Sequence, residues 1–247
     1  MSAAADAWLF DLGNSRLKCA PLGGDGRVGA VHAIAHDGAA FERGWEARLP
    51  ARCDVAWIAS VASPALRVAL LDALAARCRR IHLARTLAAF AGVRIAYAEP
   101  SRLGVDRFLA LLGAHARSEG PSLVVGVGTA LTIDLLDRGR HLGGRSAPAP
   151  ALMRDALHRR APVLPATGGA YAPFAADTAD ALASGCEGAA LALVAQSQEA
   201  AAIRTGSPPA LLLHGGGAAA LRAHCPGAVD APALVLEGLA QWARAAA

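Results

Sequence analysis

This sequence has almost no lysine. Of its 24 basic residues only Lys18 is a lysine, and the rest are arginine. Aromatic residues are scarce too, at 4%. The arginines are scattered, with only the doublets Arg79–Arg80 and Arg159–Arg160. Such a chain, at a net charge of +4, lacks the basic stripe with stacking rings that a nucleic-acid surface requires. No apolar run approaches the roughly 20 residues that span a bilayer, so no membrane contact is expected. The opening MSAAADAWLF has neither a basic segment nor a cleavable apolar core, which argues against a leader and for a cytoplasmic protein. Five cysteines (Cys19, Cys53, Cys78, Cys186, Cys225) are odd in number and show no C-x-x-C spacing. Reduced, mostly buried thiols are therefore expected, not a disulfide framework or a zinc site.

What is abundant is aliphatic. Hydrophobic residues make up 54% of 247 residues, with much alanine among them, which favours closely packed helices against a buried sheet. The length allows one large domain or two lobes of about 120 residues each. Trp8–Asp11 reads as a strand entering the turn Gly13–Asn14, and Arg16–Ala20 as its return, an opening β-hairpin. Val55–Val61 is a further strand. Ser63-Pro64 then starts a helix through Arg79, with Ser as cap and Pro at the first helical position. Ile81–Leu83 and Val93–Tyr97 read as short strands, and Gly104–Ser118 as an amphipathic helix that Gly120-Pro121 ends. From Ser122 the pattern restarts: an apolar run, the turn GVGTA, a second strand, then HLGGRSAPAPALMRDAL leading through a turn into a helix. Thr178–Ile203 is a long helix capped by Asp177 or Thr178. Leu211–Leu213 enters HGGG, and a last helix contains LVLEGLAQW. The aligned turns DLGNS and GVGTA form a weak internal repeat. With HGGG, they argue for a duplicated α/β fold holding a nucleotide in the cleft between lobes 1–120 and 121–247.

Two segments carry the chemistry. Glycine in a tight turn lets backbone N–H groups approach a phosphate, and the one ammonium of the chain sits in the first such turn. An ammonium is a compact point charge suited to phosphate, whereas a guanidinium is a planar fork. Neither G-x-x-x-x-G-K-[ST] nor a dinucleotide fingerprint is present, because GVGTAL leads into a strand. In YAEPSRLGVDRF, Asp106 and Arg107 lie in the first turn of a helix, beside a glycine that would let a ligand come close.

At these residues the chain resembles the type III pantothenate kinases, and the likeness runs almost end to end. FDLGNSRLK resembles that family's first phosphate motif, with Ser15 in place of threonine. LGVDR matches its pantothenate motif, and VGVGTALTID resembles its second phosphate motif. GGRSAPAPALM and LLLHGGGAAAL correspond to its later turns. The resemblance implies two ribonuclease-H-like lobes of the actin, Hsp70 and sugar-kinase type with ATP between them. It also implies a homodimer, magnesium, and transfer of the ATP γ-phosphoryl group to pantothenate, giving 4'-phosphopantothenate for coenzyme A synthesis. By position, Asp11, Leu12, Gly13, Asn14, Ser15, Arg16, Leu17 and Lys18 would wrap the ATP phosphates. Asp11 would face the magnesium, and Thr129 would contact ATP. Asp106 would be the catalytic base. Tyr97, Gly104, Val105, Arg107 and Thr178 would complete the pantothenate site.

The sequence departs from the family at a few positions. Gly126 replaces the aspartate that binds an activating potassium or ammonium ion, so no protein metal ligand is expected there. Ser146 and Ala149 replace an isoleucine and a glycine. Two other readings stay open: a non-catalytic transcriptional accessory protein of the same family, and a kinase of this fold for another small hydroxylated substrate.

Overall fold

The computed structural model describes residues 6–246. The first part of the stretch read for a leader lies outside the described residues. The chain forms two compact units. Unit 1 holds Met1–Glu119, Gly139–His141 and Ala233–Ala247, and unit 2 holds Gly120–Arg138 and Leu142–Pro232. The tail expected in a second lobe running from 121 to 247 thus belongs to the first unit.

Unit 1 is built on β1 (Ala7–Leu12), β2 (Arg16–Leu22), β3 (His32–Ala35), β4 (Cys53–Ser60) and β5 (Cys78–Leu83), in the order β3-β2-β1-β4-β5. β1 and β2 are the antiparallel hairpin expected from the sequence, while β4 and β5 run parallel to β1. The parallel pair needs a crossover, and α1 (Pro64–Ala75) supplies it. Ser63 caps α1 by accepting the Leu66 N–H at 3.5 Å, with Pro64 in the first turn. Phe10, Leu12, Leu17, Ile34, Ile58, Leu66, Leu70 and Leu74 share one core.

A two-residue turn at Ala91–Gly92, both with positive φ, joins β6 (Ala89–Phe90) to β7 (Val93–Arg94). Only these two residues of the strand expected over Val93–Tyr97 pair.

Two helices complete this unit, α2 (Val105–Arg117) and the C-terminal α6 (Leu234–Ala246). They cross at glycines. A Cβ on Gly113 would lie 2.5 Å from the Leu234 carbonyl oxygen, and one on Gly238 would overlap the carbonyl of Leu109. The backbones touch directly, with Phe90 stacked on Trp242 at 4.4 Å and Phe108 edge-on to it at 6.2 Å. Arg117 closes the far end with two 2.7 Å bonds to the Glu237 carboxylate.

Unit 2 follows the same plan with β8 (Ser122–Val127), β9 (Ala130–Asp137), β10 (Arg140–Pro148), β11 (Ala210–His214) and β12 (Val229–Asp230), in the order β12-β11-β8-β9-β10. The first residues of β10 count with unit 1, where Arg140 pairs with Arg94. β8 and β9 are antiparallel around the GVGTA turn, and β11 runs parallel to β8. Its helices are α3 (Pro150–Arg160), α4 (Thr178–Thr205) and α5 (Ala218–Arg222). Alanines of α4 explain the composition. Ala190 and Ala201, with Val194, let the helix lie close on Leu123, Val125, Ile133 and Leu213. Asp177 is the cap, accepting from the N–H groups of Ala179 and Asp180 at 2.8 and 3.1 Å, and Thr178 is the first helical residue. Among the described residues no helix is long and apolar enough to cross a membrane.

The structure corrects three local expectations. Arg140–Pro148 is a strand where the glycine pair and prolines suggested a turn. A strand tolerates them here because Gly143 takes φ 117 and Pro148 is its last residue. The helix expected to reach Arg79 stops at Ala75, because β5 already begins at Cys78. Cys53 and Cys78 are the first register pair of β4 and β5 and form a disulfide, whereas Cys19, Cys186 and Cys225 are free and buried. The two partners lie 25 residues apart, and only the parallel pairing makes them neighbours.

The helix crossing gives a stability test. Gly238→Ala should cost about 1–3 kcal/mol by overpacking. Gly185→Ala, exposed on α4 with nothing within 4 Å of the new methyl, should gain about 0.5–1 kcal/mol. Urea denaturation of both variants checks the contrast.

Candidate active site

The hairpin of unit 1 puts its polar residues at one end of the sheet. Asp11 lies at the C-terminal end of β1, opposite Lys18 on β2 and beside Ala59 on β4. Leu12 and Leu17 are fully buried in the core, so they can offer a ligand only their backbone. Asn14, Ser15 and Arg16 are exposed. The turn is tied by the Gly13 N–H to the Arg16 carbonyl at 3.1 Å, and His36 Nε2 bonds the Gly13 carbonyl at 3.0 Å. A Cβ on Gly13 would meet only the Arg16 carbonyl, at an ordinary 3.5 Å. The protein's own atoms do not demand a glycine there. The bare backbone leaves a cradle that a phosphate can fill.

The second group stands at the start of α2. Gly104 is the residue before the helix, and Val105, Asp106 and Arg107 form its half-buried first turn. The Asp106 carboxylate folds back over this start. Its Oδ1 accepts the Arg107 N–H at 2.9 Å and lies 2.6 Å from where a Gly104 Cβ would be. Any side chain at 104 would push the carboxylate away. Arg107 Nη1 donates to the Tyr97 hydroxyl at 3.4 Å, and its guanidinium carbon lies 6.0 Å from the Tyr97 ring centre. The buried His141 also stacks on the Tyr97 ring, at 6.0 Å, and accepts the Ala96 N–H through Nδ1 at 3.4 Å. Tyr97 thus contacts both a guanidinium and an imidazole.

Asp11 and Asp106 act on each other electrically. Burial first, and the Asp106 charge second, push the Asp11 carboxyl up to about 7, while Lys18 pulls the other way. Asp11 keeps some accessible surface, yet its carboxyl is packed deeply enough that ionisation is costly. Two carboxylates in one half-buried corner form a donor set suited to a hard cation.

In unit 2 the turn Gly126–Thr129 is backed by the HGGG segment. A Cβ on Gly215 would overlap the Val127 backbone, and one on Gly217 would come 2.9 Å from Val127 Cγ1. The Gly217 N–H donates to the Val127 carbonyl at 2.9 Å. Two glycine turns are therefore stacked backbone to backbone. Gly128 resembles Gly13, since a Cβ there would meet only the Ala130 carbonyl at 3.9 Å. Thr129 is exposed at the tip and accepts the Ala149 N–H through its carbonyl at 3.2 Å. Thr178 is exposed at the start of α4.

The structure thus gathers Asp11–Lys18 on one hairpin in unit 1, and Tyr97 with Gly104–Arg107 at the start of α2 in the same unit. Thr129 and Thr178 belong to unit 2 and occupy different elements of it. Sequence reasoning missed His36 and His141, and read His214 only as the first residue of the HGGG turn. His36 and His141 lie outside any motif, and long-range packing places them against Gly13 and Tyr97, while strand register places His214 beside Gly126.

The fold is of the actin, Hsp70 and sugar-kinase type. Two solved structures share the fold at low identity. A Campylobacter jejuni protein assigned to the Baf family of transcriptional activators is 20% identical, with TM-score 0.62 and 94% of each chain covered. A Sinorhizobium meliloti protein assigned as a 2-dehydro-3-deoxygalactonokinase is 19% identical, with TM-score 0.61, covering 97% of this chain and 99% of that one. The sequence profile of the type III pantothenate kinases matches residues 8–200. Relatives bearing that name include one from Stenotrophomonas maltophilia strain R551-3, 58% identical over 237 residues, and one from Xanthomonas campestris pv. campestris strain B100, 56% identical over 237. Each comparison covers 96% of both chains. The chain belongs to the type III pantothenate kinase family.

The Asp11 shift sets a pH dependence. Its folded pKa, about 7, lies above the ordinary 3.8, so the folded state holds the proton more tightly. The stability this contributes is complete below pH 3.8 and is lost as pH rises through 7. Ligand-free Asp11→Asn should therefore gain melting temperature relative to the parent between pH 5 and pH 8. A difference that does not change with pH would contradict the assignment.

Proposed function

We propose that this protein transfers the γ-phosphoryl group of ATP to the primary hydroxyl of pantothenate, the first step of coenzyme A synthesis. The observation that carries this reading is the Asp106 carboxylate, seated over Gly104 in a segment matching the family's pantothenate motif. In the same unit, Asp11 and Lys18 face each other across the phosphate hairpin. The family relation and the names of relatives at 55–58% identity support the substrate.

The roles follow from chemistry. The attacking hydroxyl gives its proton to Asp106 while its oxygen bonds to the γ-phosphorus. The bond from that phosphorus to the β–γ bridging oxygen breaks, and ADP leaves. Little covalent work falls to the protein, so placement and charge stabilisation dominate. Asp11–Lys18 wrap the phosphates, with the Gly13 backbone approaching closely and Lys18 offsetting negative charge. Magnesium brought with ATP would be held by Asp11 and would offset the phosphate charge further. Arg107, fixed by Tyr97, binds the substrate or the developing phosphoryl charge. In unit 2, Thr129 takes part in holding ATP and Thr178 in holding pantothenate.

The working form is proposed to be a homodimer. The segment between α3 and α4 carries the exposed apolar side chains Val163 and Phe174, 90% and 99% exposed, and a second copy of the chain is the proposed cover.

Purified protein with ATP, magnesium and pantothenate should release ADP only when pantothenate is present. Asp106→Asn should lower kcat by at least about 10²-fold. Gly104→Ala should lower it as well, by displacing the same carboxylate, while leaving the melting temperature near that of the parent. No pantothenate-dependent turnover by the parent protein would refute the reading.

A further inference from the structure

The family resemblance implies a potassium or ammonium site at position 126, and the geometry of unit 2 does not accommodate one. Gly126 is the middle of a three-strand row. Its register partner on β9 is Thr132, and its partner on β11 is His214. Register partners project from the same face of a sheet, so the side chains of Thr132 and His214 flank the place where a residue-126 side chain would stand. Both lean into it. A Cβ built on Gly126 would lie 2.7 Å from Thr132 Oγ1, 2.9 Å from His214 Nε2 and 3.0 Å from His214 Cε1. Gly126 has no positive φ. It is therefore glycine because its neighbours fill the space, and backbone conformation does not demand it.

We infer that this chain has exchanged the monovalent cation site for a packed imidazole: His214 fills the volume over Gly126, and catalysis runs without a bound potassium or ammonium ion. The donor set agrees with the geometry. The groups nearest to Gly126 are one hydroxyl and one imidazole, whereas hard cations take several oxygen ligands. The unit 2 carboxylate on this face of β8 and β9 is Asp134, a full row away opposite Val124. The seat of His214 is also fixed. The turn that follows it is locked by the backbone contact of Gly215 with Val127 and by the bond from the Gly217 N–H to the Val127 carbonyl. His214 is thus a positioning residue, which braces the Gly126–Thr129 turn from the side where the cation would have sat. The departure involves two positions: glycine at 126 and histidine at 214 fit each other.

This inference rests on the kinase reading for its catalytic half only. The test pairs a rate with a thermal measurement, so that failure of either reading is recognisable. The intact protein is assayed in potassium, ammonium and sodium chloride at equal ionic strength, and its melting temperature with ADP and magnesium is compared in the same salts. Rates within about twofold and equal melting temperatures are expected, because no site distinguishes the ions. Saturable activation by potassium or ammonium, or a melting temperature raised by either over sodium, would overturn the inference. Failure of the parent protein to turn over at all would count against the kinase reading instead, and the melting comparison would still decide the cation question.

A double-mutant cycle tests the packing. Gly126→Asp alone should lower the melting temperature by roughly 5 °C. In the His214→Ala background the same change should cost less than half as much, and only the double variant should respond to potassium over sodium. An equal cost of Gly126→Asp in both backgrounds would show that His214 does not hold the space.

Discussion

Two carboxylates held near each other without full relief organise the functional end of unit 1. Asp11 is delivered by the end of a core strand, and Asp106 by the first turn of a helix on the same unit. Neither can retreat. Phe10 and Leu12, on either side of Asp11, are fully buried, which fixes the strand. α2 is pinned on α6 through bare backbone at Gly113 and Gly238, which fixes the helix. The repulsion and the burial appear together as an Asp11 carboxyl pushed up to about 7. A site of this kind is unstable in its empty ionised form and is relieved by whatever brings positive charge to it. In the proposed kinase reading, stability is given up locally so that charge is waiting where phosphate and its counter-ion arrive.

Glycine has distinct purposes in this chain, separable by asking what a methyl group would hit. At Gly113 and Gly238 it would strike another helix, so these glycines set packing. At Gly104 and Gly126 it would strike polar groups, the Asp106 carboxylate in one case and Thr132 with His214 in the other. There the missing side chain makes room for a neighbour. At Gly13 and Gly128 it would meet only a carbonyl at ordinary contact distance, and the proposed use of the space is a ligand. The two turns that look alike in the sequence, DLGNS and GVGTA, are alike in this last respect only. The first keeps its carboxylate at Asp11, while the second has replaced the corresponding group by a glycine under an imidazole.

Much of this was legible in the sequence. The opening hairpin, α2, the start of α4 and β11 follow from turn glycines, caps and apolar spacing. The lone Lys18 and the LGVDR segment pointed to the hairpin end and the start of α2, where the structure brings Asp11 and Asp106 within electrostatic reach of each other. What could not be read depended on register and long-range packing. Cys53 and Cys78 become partners only once β4 and β5 pair in parallel. The return of α6 to unit 1 rests on Gly238 meeting Leu109, a contact between residues distant in the chain that no local pattern announces. β10 was hidden because glycine and proline weaken a strand signal even where the strand tolerates them. His141 and His214 matter through which residue lies across the sheet from them or beside them in space, and a single sequence does not give that.

The charge arrangement is the central claim, and the titration of Asp11 tests it most directly. Carboxyl carbon NMR of the ligand-free protein, followed from acid to alkaline pH, should find one aspartate titrating near pH 7 that is absent in Asp11→Asn. Addition of magnesium and ADP should move that titration downward, as a cation-bearing phosphate takes up the charge. An Asp11 that titrates near the ordinary 3.8, and stays there when the nucleotide is added, would contradict the account.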